Sequence, residues 1–176
     1  MRTKPSAWAI WAACVIVTGF SASAVAQVRV EPHPNQRQLL ESEDSELAAN
    51  KRLAYDFWRH VLVARDMDKA VEYMDENYIQ HNPMIATGRA TFMQFFGTMP
   101  KRPVQDTIDG LVEIVAERDL VAMSFRRECA DPRNPGRTYT TTWFDMFRVI
   151  DGKIGEHWDY GTIAGEGNPP DCAPPR

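Results

Sequence analysis

A few polar side chains stand where the chain otherwise alternates or runs apolar, and their types are those of proton transfer. Gln80, His81 and Asn82 close the short stretch "YIQHN" ahead of Pro83. Asp145 interrupts "TWFDMF", and His157 and Asp159 share "EHWDY". A carboxylate set among aromatic rings is disfavoured as an anion, so its pKa rises toward the range useful for general acid and base work. An adjacent imidazole pairs with it or passes on its proton. Such a set can take a proton from the carbon next to a carbonyl while Asn82 or Gln80 hydrogen-bonds the enolate oxygen. On this reading Asp159 transfers the proton and His157 and His81 are its partners. Asn82 and Gln80 are polar orienters, and Asp145, Trp143, Phe147 and Trp158 line the pocket. The structural alternative is an ion pair of Asp145 or Asp159 with Arg148 or Arg89.

Whether these residues meet depends on the elements that carry them. Leu47, Lys51, Ala54, Trp58 and Val61 fall on one helical stripe, widened by Leu53, Phe57 and Leu62, with Ser42 and Asp44 available as N-caps. Asp66 is placed to cap a second short helix, "MDKAVEYMDE", with Met67, Ala70, Val71 and Met74 inward. After the short strand, Pro83 stops the chain and Gly88 opens a third helix, "RATFMQFFGTM", with Phe92, Phe95, Phe96 and Met99 inward. Four β-rich stretches follow: "TIDGLVEIVAE", "DLVAMSFRREC", "RTYTTTWFDMFRVI" and "KIGEHWDYGTI". Turn residues separate them, and Asp151-Gly152 is a strong two-residue hairpin signal. Three helices, one early strand and a four-stranded antiparallel meander make an α+β fold, in which a curved sheet partly closed by the helices encloses a pocket.

Two registers remain open across that hairpin. A plain two-residue turn sets Met146 opposite His157 and Phe144 opposite Asp159, which leaves Asp145 on the other side of the sheet. A β-bulge or an odd-length loop would bring Asp145, His157 and Asp159 onto one face.

The first 26 residues read as a secretory leader, with Arg2 and Lys4 ahead of "AWAIWAACVIVTGF" and an A-x-A site at Ala24-Val25-Ala26. Its apolar core falls short of the roughly 20 residues a membrane span needs. An exported, periplasmic or extracellular domain is therefore expected, with no membrane attachment after cleavage. The formal charge of −4 falls by two, to −6, once Arg2 and Lys4 leave. An acidic chain without a basic cluster is a poor nucleic-acid binder. Of three cysteines, Cys129 and Cys172 remain. An oxidising compartment would join them, clipping the Pro-rich tail (165–176) onto a strand end; the alternative is two free thiols. Residues 27–44, with Pro32 and Pro34, read as an extended arm, leaving 45–164 as the domain.

Nucleotide, P-loop, nucleophile-elbow and zinc-protease motifs are missing from the sequence. A metal held by His81, His157 and an aspartate has no tight ligand spacing behind it, so no metal is expected.

"YIQHNP" followed by "GR", and then "WFDMFRVIDGKIGEHWD", resembles the SnoaL-like polyketide cyclases of the nuclear transport factor 2-like superfamily, over about residues 46 to 163. The resemblance implies a cone-shaped, curved antiparallel sheet partly closed by three N-terminal helices, with a pocket beneath them. It also implies a homodimer through the outer sheet face, and aldol ring closure with an aspartate as acid/base and no metal or organic cofactor. Asp159 matches that aspartate. Asp145 matches a pocket position that is histidine in the cyclase prototype, a departure that bears on substrate and reaction. A small-molecule carbonyl compound is the expected ligand. The rival expectations are a non-catalytic binding protein and a dimerising interaction module.

Overall fold

Asp44, one of the two expected caps, starts the first helix. Its Oδ1 accepts from the backbone N–H groups of Glu46 (2.8 Å) and Leu47 (3.2 Å), two of the donors that a helix start leaves open. Helix α1 then runs Ser45–Phe57, and a π-helical turn, Trp58–Val63, continues it. Our computed structural model describes residues 27–161 and 172–173. The expected leader, the last residues assigned to the domain (162–164) and most of the tail lie outside the described residues.

Helices α2, Met67–Tyr73, and α3, Arg89–Phe96, are shorter than the apolar spacing predicts. Met74, Asp75 and Glu76, expected to end the second helix, instead begin strand β1, Met74–Gln80. Val71, Phe95 and Met99, expected inward, are exposed. Asp66 makes no capping bond and pairs with Lys101 at 2.9 Å. The cause is tertiary: Met74 pairs with Ile154 in the sheet, and both are fully buried there. Strand pairing overrides the local helical pattern.

Strands β2 (Leu111–Glu117), β3 (Leu120–Ala130), β4 (Thr138–Ile150) and β5 (Lys153–Asp159) form the expected antiparallel meander. Asp151 and Gly152 join the last two with φ of 48° and 71°, the positive pair that a type I′ hairpin turn requires. β1 joins the sheet beside β5, and that pairing is parallel, so the sheet is not antiparallel throughout. The order is β1-β5-β4-β3-β2, with β6 (Cys172–Ala173) against the far end of β3. The result is an α+β fold whose curved sheet is partly closed by the helices. Its core lies between them: Trp58 stacks on Phe125 at 4.2 Å, and Phe57 meets Phe147 edge-on at 5.6 Å. Among the described residues no helix is long and apolar enough to cross a membrane.

The N-terminal arm is partly built into this core rather than merely extended. Leu39 and Leu40 are buried in a short 3₁₀ turn, Gln38–Leu40. The Gln36 amide donates to Ile108 O (2.7 Å) and accepts from Ile108 N (2.8 Å) and Tyr55 Oη (3.0 Å).

Cys129 and Cys172 form a disulfide across the β3–β6 pair, 43 residues apart in sequence. A loop of that length should stabilise the fold by roughly 2–4 kcal/mol. Urea unfolding should therefore shift to lower denaturant on reduction, and the Cys129→Ser, Cys172→Ser double variant should match the reduced protein without reductant. Equal thiol labelling of both cysteines in untreated protein would contradict the bridge.

Candidate active site

The β4–β5 register decides which side chains share a face. Ile150 pairs with Lys153 and Val149 with Ile154, but Arg148 pairs with Glu156. Gly155 is thus the extra residue of a bulge, and of the two registers left open by the sequence the bulged one is realised. A Cβ at Gly155 would lie 2.5 Å from Ile150 Cδ1, so a side chain there requires the neighbour to move. Beyond the bulge Phe147 faces His157 and Asp145 faces Asp159. All of them fall on the face beneath the helices.

Hydrogen bonds then fix each group's direction. The Asn82 backbone N–H donates to Gln80 Oε1 at 3.0 Å. The amide's Nε2 is left to donate to Tyr78 Oη (2.9 Å) and to His157 Nδ1 (3.1 Å). With Nδ1 as acceptor, the ring proton sits on Nε2 and is donated to Asp145 Oδ1 at 2.8 Å. Asn82 is locked in the same way. Its Oδ1 accepts from Met84 N (2.8 Å), and its Nδ2 donates to Asp159 Oδ2 (3.0 Å). Gly161 lies so close that a Cβ would fall 2.3 Å from Asn82 Oδ1. Beneath the imidazole, Phe147 stacks at 4.7 Å with 9° between the planes.

The structure therefore brings Gln80, Asn82, Asp145, His157 and Asp159 together, with Phe147 as the floor under His157. It does not bring in His81 or Trp158. Alternation along β1 turns Tyr78, Gln80 and Asn82 inward and His81 outward, where its side chain is 42% exposed and meets Glu156 at 3.3 Å. Trp158 is on that outer face too, stacked on His81 at 4.6 Å. Both are corrections to the expected pocket. The alternative ion pairs do not form either: Arg148 binds Asp119 (2.5 Å) and Glu156 (3.3 Å), and Arg89 donates to Met74 O.

A cavity of about 190 Å³ opens above Asp145 and Asp159, walled by Trp58, Phe96 and Trp143 and by three arginines, Arg65, Arg102 and Arg127. Sequence reasoning missed the arginines and Tyr78. For Arg127 there was a signal: it continues the inward run Val121, Met123, Phe125 of β3. Arg127 lies over the Trp143 ring at 3.6 Å. Buried polar atoms cluster on residues lining this one cavity: Trp58 Nε1, Arg127 Nε and Asp159 Oδ1 have no hydrogen-bond partner in the protein, and Asp145 Oδ2 has only the nearby Trp143 indole, which acts on its carboxyl as a donor. Buried polar groups are nearly always paired, so such a cluster at one cavity marks a place for a ligand or ordered water.

Burial pushes the Asp145 carboxyl above its ordinary value, against the pull of the His157 contact, and the Asp159 charge adds to the rise. Burial also raises the Tyr78 phenol, helped by the charges of Asp159 and Asp145. The Arg127 guanidinium is lowered by burial while those two carboxylates oppose the change. Asp145, His157 and Asp159 each offer a ligand atom within 4.8 Å of one another, the spacing of a metal set. Both ring nitrogens of His157 are already engaged by Gln80 and Asp145, however, so the imidazole has no free lone pair for a metal.

A carboxyl raised by folding favours the fold below its unfolded pKa, here 3.8, and loses that contribution as pH rises through the folded value. Asp145→Asn keeps an acceptor for His157 and removes the buried charge. It should be more stable than the wild type at neutral pH, by a margin that shrinks as pH falls toward 3.8, when melting temperatures are compared across pH. A variant less stable at neutral pH than at acid, relative to wild type, would contradict this placement of the charge.

No curated protein matches the chain in sequence. Similar solved structures include a candidate polyketide cyclase from Acidithiobacillus ferrooxidans, 17% identical with a TM-score of 0.48, covering 68% of this chain and 90% of that one. An LEH-like epoxide hydrolase from M. tuberculosis is 16% identical with a TM-score of 0.46, covering 65% and 84%. A candidate ketosteroid isomerase from Kribbella flavida is 18% identical with a TM-score of 0.46, covering 70% and 85%. These likenesses are too distant to speak for its chemistry. The SnoaL-like domain family model matches residues 55–157, more than half of the 176-residue sequence. The chain belongs to the SnoaL-like domain family.

Proposed function

We propose that this SnoaL-like protein is a cofactor-independent acid/base enzyme acting on a small carbonyl compound, by enolisation or by aldol ring closure. One observation carries the reading: two carboxylates, a guanidinium N–H and an indole N–H come together in the lining of one cavity, and the buried Asp159 Oδ1 and Arg127 Nε there have no partner in the protein. Acceptors beside donors in a partly buried site are what proton abstraction next to a carbonyl needs. Asp159 Oδ1 takes the proton from the α-carbon, the C–H electrons move to the carbonyl oxygen, and the Arg127 guanidinium holds the enolate that forms. For ring closure the enolate carbon attacks a second carbonyl of the same molecule, and the new alkoxide takes back the proton. Asn82 keeps Asp159 in place through Oδ2, leaving Oδ1 for substrate. The raised Asp145 carboxyl, bonded to His157, is the second acid/base group beside it.

Export to an oxidising compartment is part of the proposal, supported by the Cys129–Cys172 bridge. So is pairing of two copies through the outer sheet face, where Phe144 is 62% and Val115 55% exposed.

The test follows loss of α-protons from ketones and β-dicarbonyl compounds in deuterium oxide by NMR. Exchange above the buffer rate should fall by about 10²–10⁴-fold in Asp159→Asn, while ligand affinity stays within a few-fold. No exchange of compounds shown to bind would leave a binding protein rather than an enzyme.

A further inference from the structure

The cavity wall carries more positive charge than its chemistry uses. Arg127 is opposed by Asp145 and Asp159, whose charges act directly on it. Arg65 and Arg102 have no such partner. Neither forms an ion pair among the described residues, and the one charged group that perturbs Arg65 is Arg102, of the same sign. Asp109, which shares the adjoining groove with Arg102, does not pair with it. Two guanidiniums without a protein counter-ion, Arg65 half-buried and Arg102 exposed at the mouth, give this wall of the cavity a positive end that an anion can join. The protein as a whole has a net negative charge, so this local excess is not a by-product of a basic surface.

The backbone at Arg65 adds a second, independent observation. Arg65 has φ 58°, the left-handed conformation that a long side chain adopts only at a cost. It sits where a helix is ending: Asp66 N–H bonds His60 O at 3.0 Å, wrapping the chain around it. Glycine is the usual residue at such a position. Here an arginine occupies it, and its guanidinium is laid over the Phe96 ring at 4.6 Å, on the cavity wall. The Arg102 backbone N–H bonds Ala64 O at 2.7 Å, which ties the second arginine's loop to the same turn. Strain held at a cavity is a mark of function.

We propose that the substrate is an anion, a small keto acid whose carboxylate is held by Arg65 and Arg102 while its ketone lies against Arg127 and Asp159. This rests on the acid/base reading of the site and names its substrate class. A carboxylate at that end accepts two charge-assisted contacts and removes the repulsion between the guanidiniums. Binding should weaken as ionic strength rises.

The probes are 4-oxopentanoate and 5-oxohexanoate, each compared with its methyl ester, by calorimetric titration and by α-proton exchange in deuterium oxide. The acids should bind at least about tenfold tighter than the esters, and Arg102→Gln should remove most of that preference by weakening the acid far more than the ester. Arg65→Gly separates binding from folding. It relieves the left-handed strain, so its melting temperature should match or exceed that of the wild type while the preference for the acid falls. Acids that bind no tighter than esters, including the absence of binding by either, would overturn the anion site. So would arginine variants that weaken acid and ester alike. Acid preference that disappears in the variants, with no exchange by the wild type, would keep the anion site and remove the catalytic reading instead.

Discussion

In β5 one residue too many stands opposite β4, and the meeting of Asp145, His157 and Asp159 on one face follows from that excess. Gly155 absorbs the extra residue next to the Asp151-Gly152 turn. Without it Asp145 would face away from His157 and Asp159, since a one-residue shift moves a whole strand's side chains to the other face. With it, Asp145 and Asp159 become a cross-strand pair and His157 joins them one step along the same face. The arrangement costs stability. Each buried polar atom left without a partner costs about 1–3 kcal/mol, and Trp58 Nε1, Arg127 Nε and Asp159 Oδ1 are such atoms on the lining of this cavity. The aromatic packing of Trp58, Phe125, Phe57 and Phe147 around it provides the opposing gain. Such a balance is usual where a site is kept ready for a ligand.

The turn after β1 supplies direction to the side chains that the bulge gathers. Two backbone N–H groups, those of Asn82 and Met84, each bond a side-chain amide two residues earlier, the compact geometry typical of turn residues. Pro83 between them has no N–H to compete. Each bond orients one amide, and each amide then orients one acid/base group: Gln80 orients His157, and Asn82 orients Asp159. Tying down a turn and presenting a carboxylate to the cavity are here one hydrogen-bonded structure.

Much of this is legible in the sequence, and the parts that are not have physical reasons. The Asp44 cap, the hairpin at Asp151-Gly152 and the four period-2 stretches follow from local chemistry, and the described structure keeps them. Gln80, Asn82, Asp145, His157 and Asp159 stand out as polar residues among apolar neighbours, and they do converge. The bulge does not stand out, because both registers satisfy the alternation of "FDMFRV" equally well. His81 has the residue type of a pocket group, but period-2 alternation in "YIQHN" sets it opposite Gln80 and Asn82, and the strand's alternation prevails. Arg127 occupies an inward position by the same rule, yet beside Arg126 it reads as one more surface cation. Arg65 and Arg102 come from loops 37 residues apart, and the bond from Arg102 N to Ala64 O and the Lys101–Asp66 pair, neither legible in the sequence, bring them to one wall.

The sense of the hydrogen bonds from Gln80 through His157 to Asp145 decides whether Asp145 faces the cavity as a carboxylate that accepts from His157 or as a carboxylic acid that donates to it. Nitrogen-15 NMR of the His157 ring reads that sense directly. The expected spectrum has Nε2 protonated, with its proton in a hydrogen bond to a carboxylate, and Nδ1 bare as the acceptor from Gln80. A proton on Nδ1 with Nε2 bare would mean that the Gln80 amide presents its oxygen to the ring. Asp145 would then have to carry the proton itself, and the division of roles between the two carboxylates derived above would be wrong.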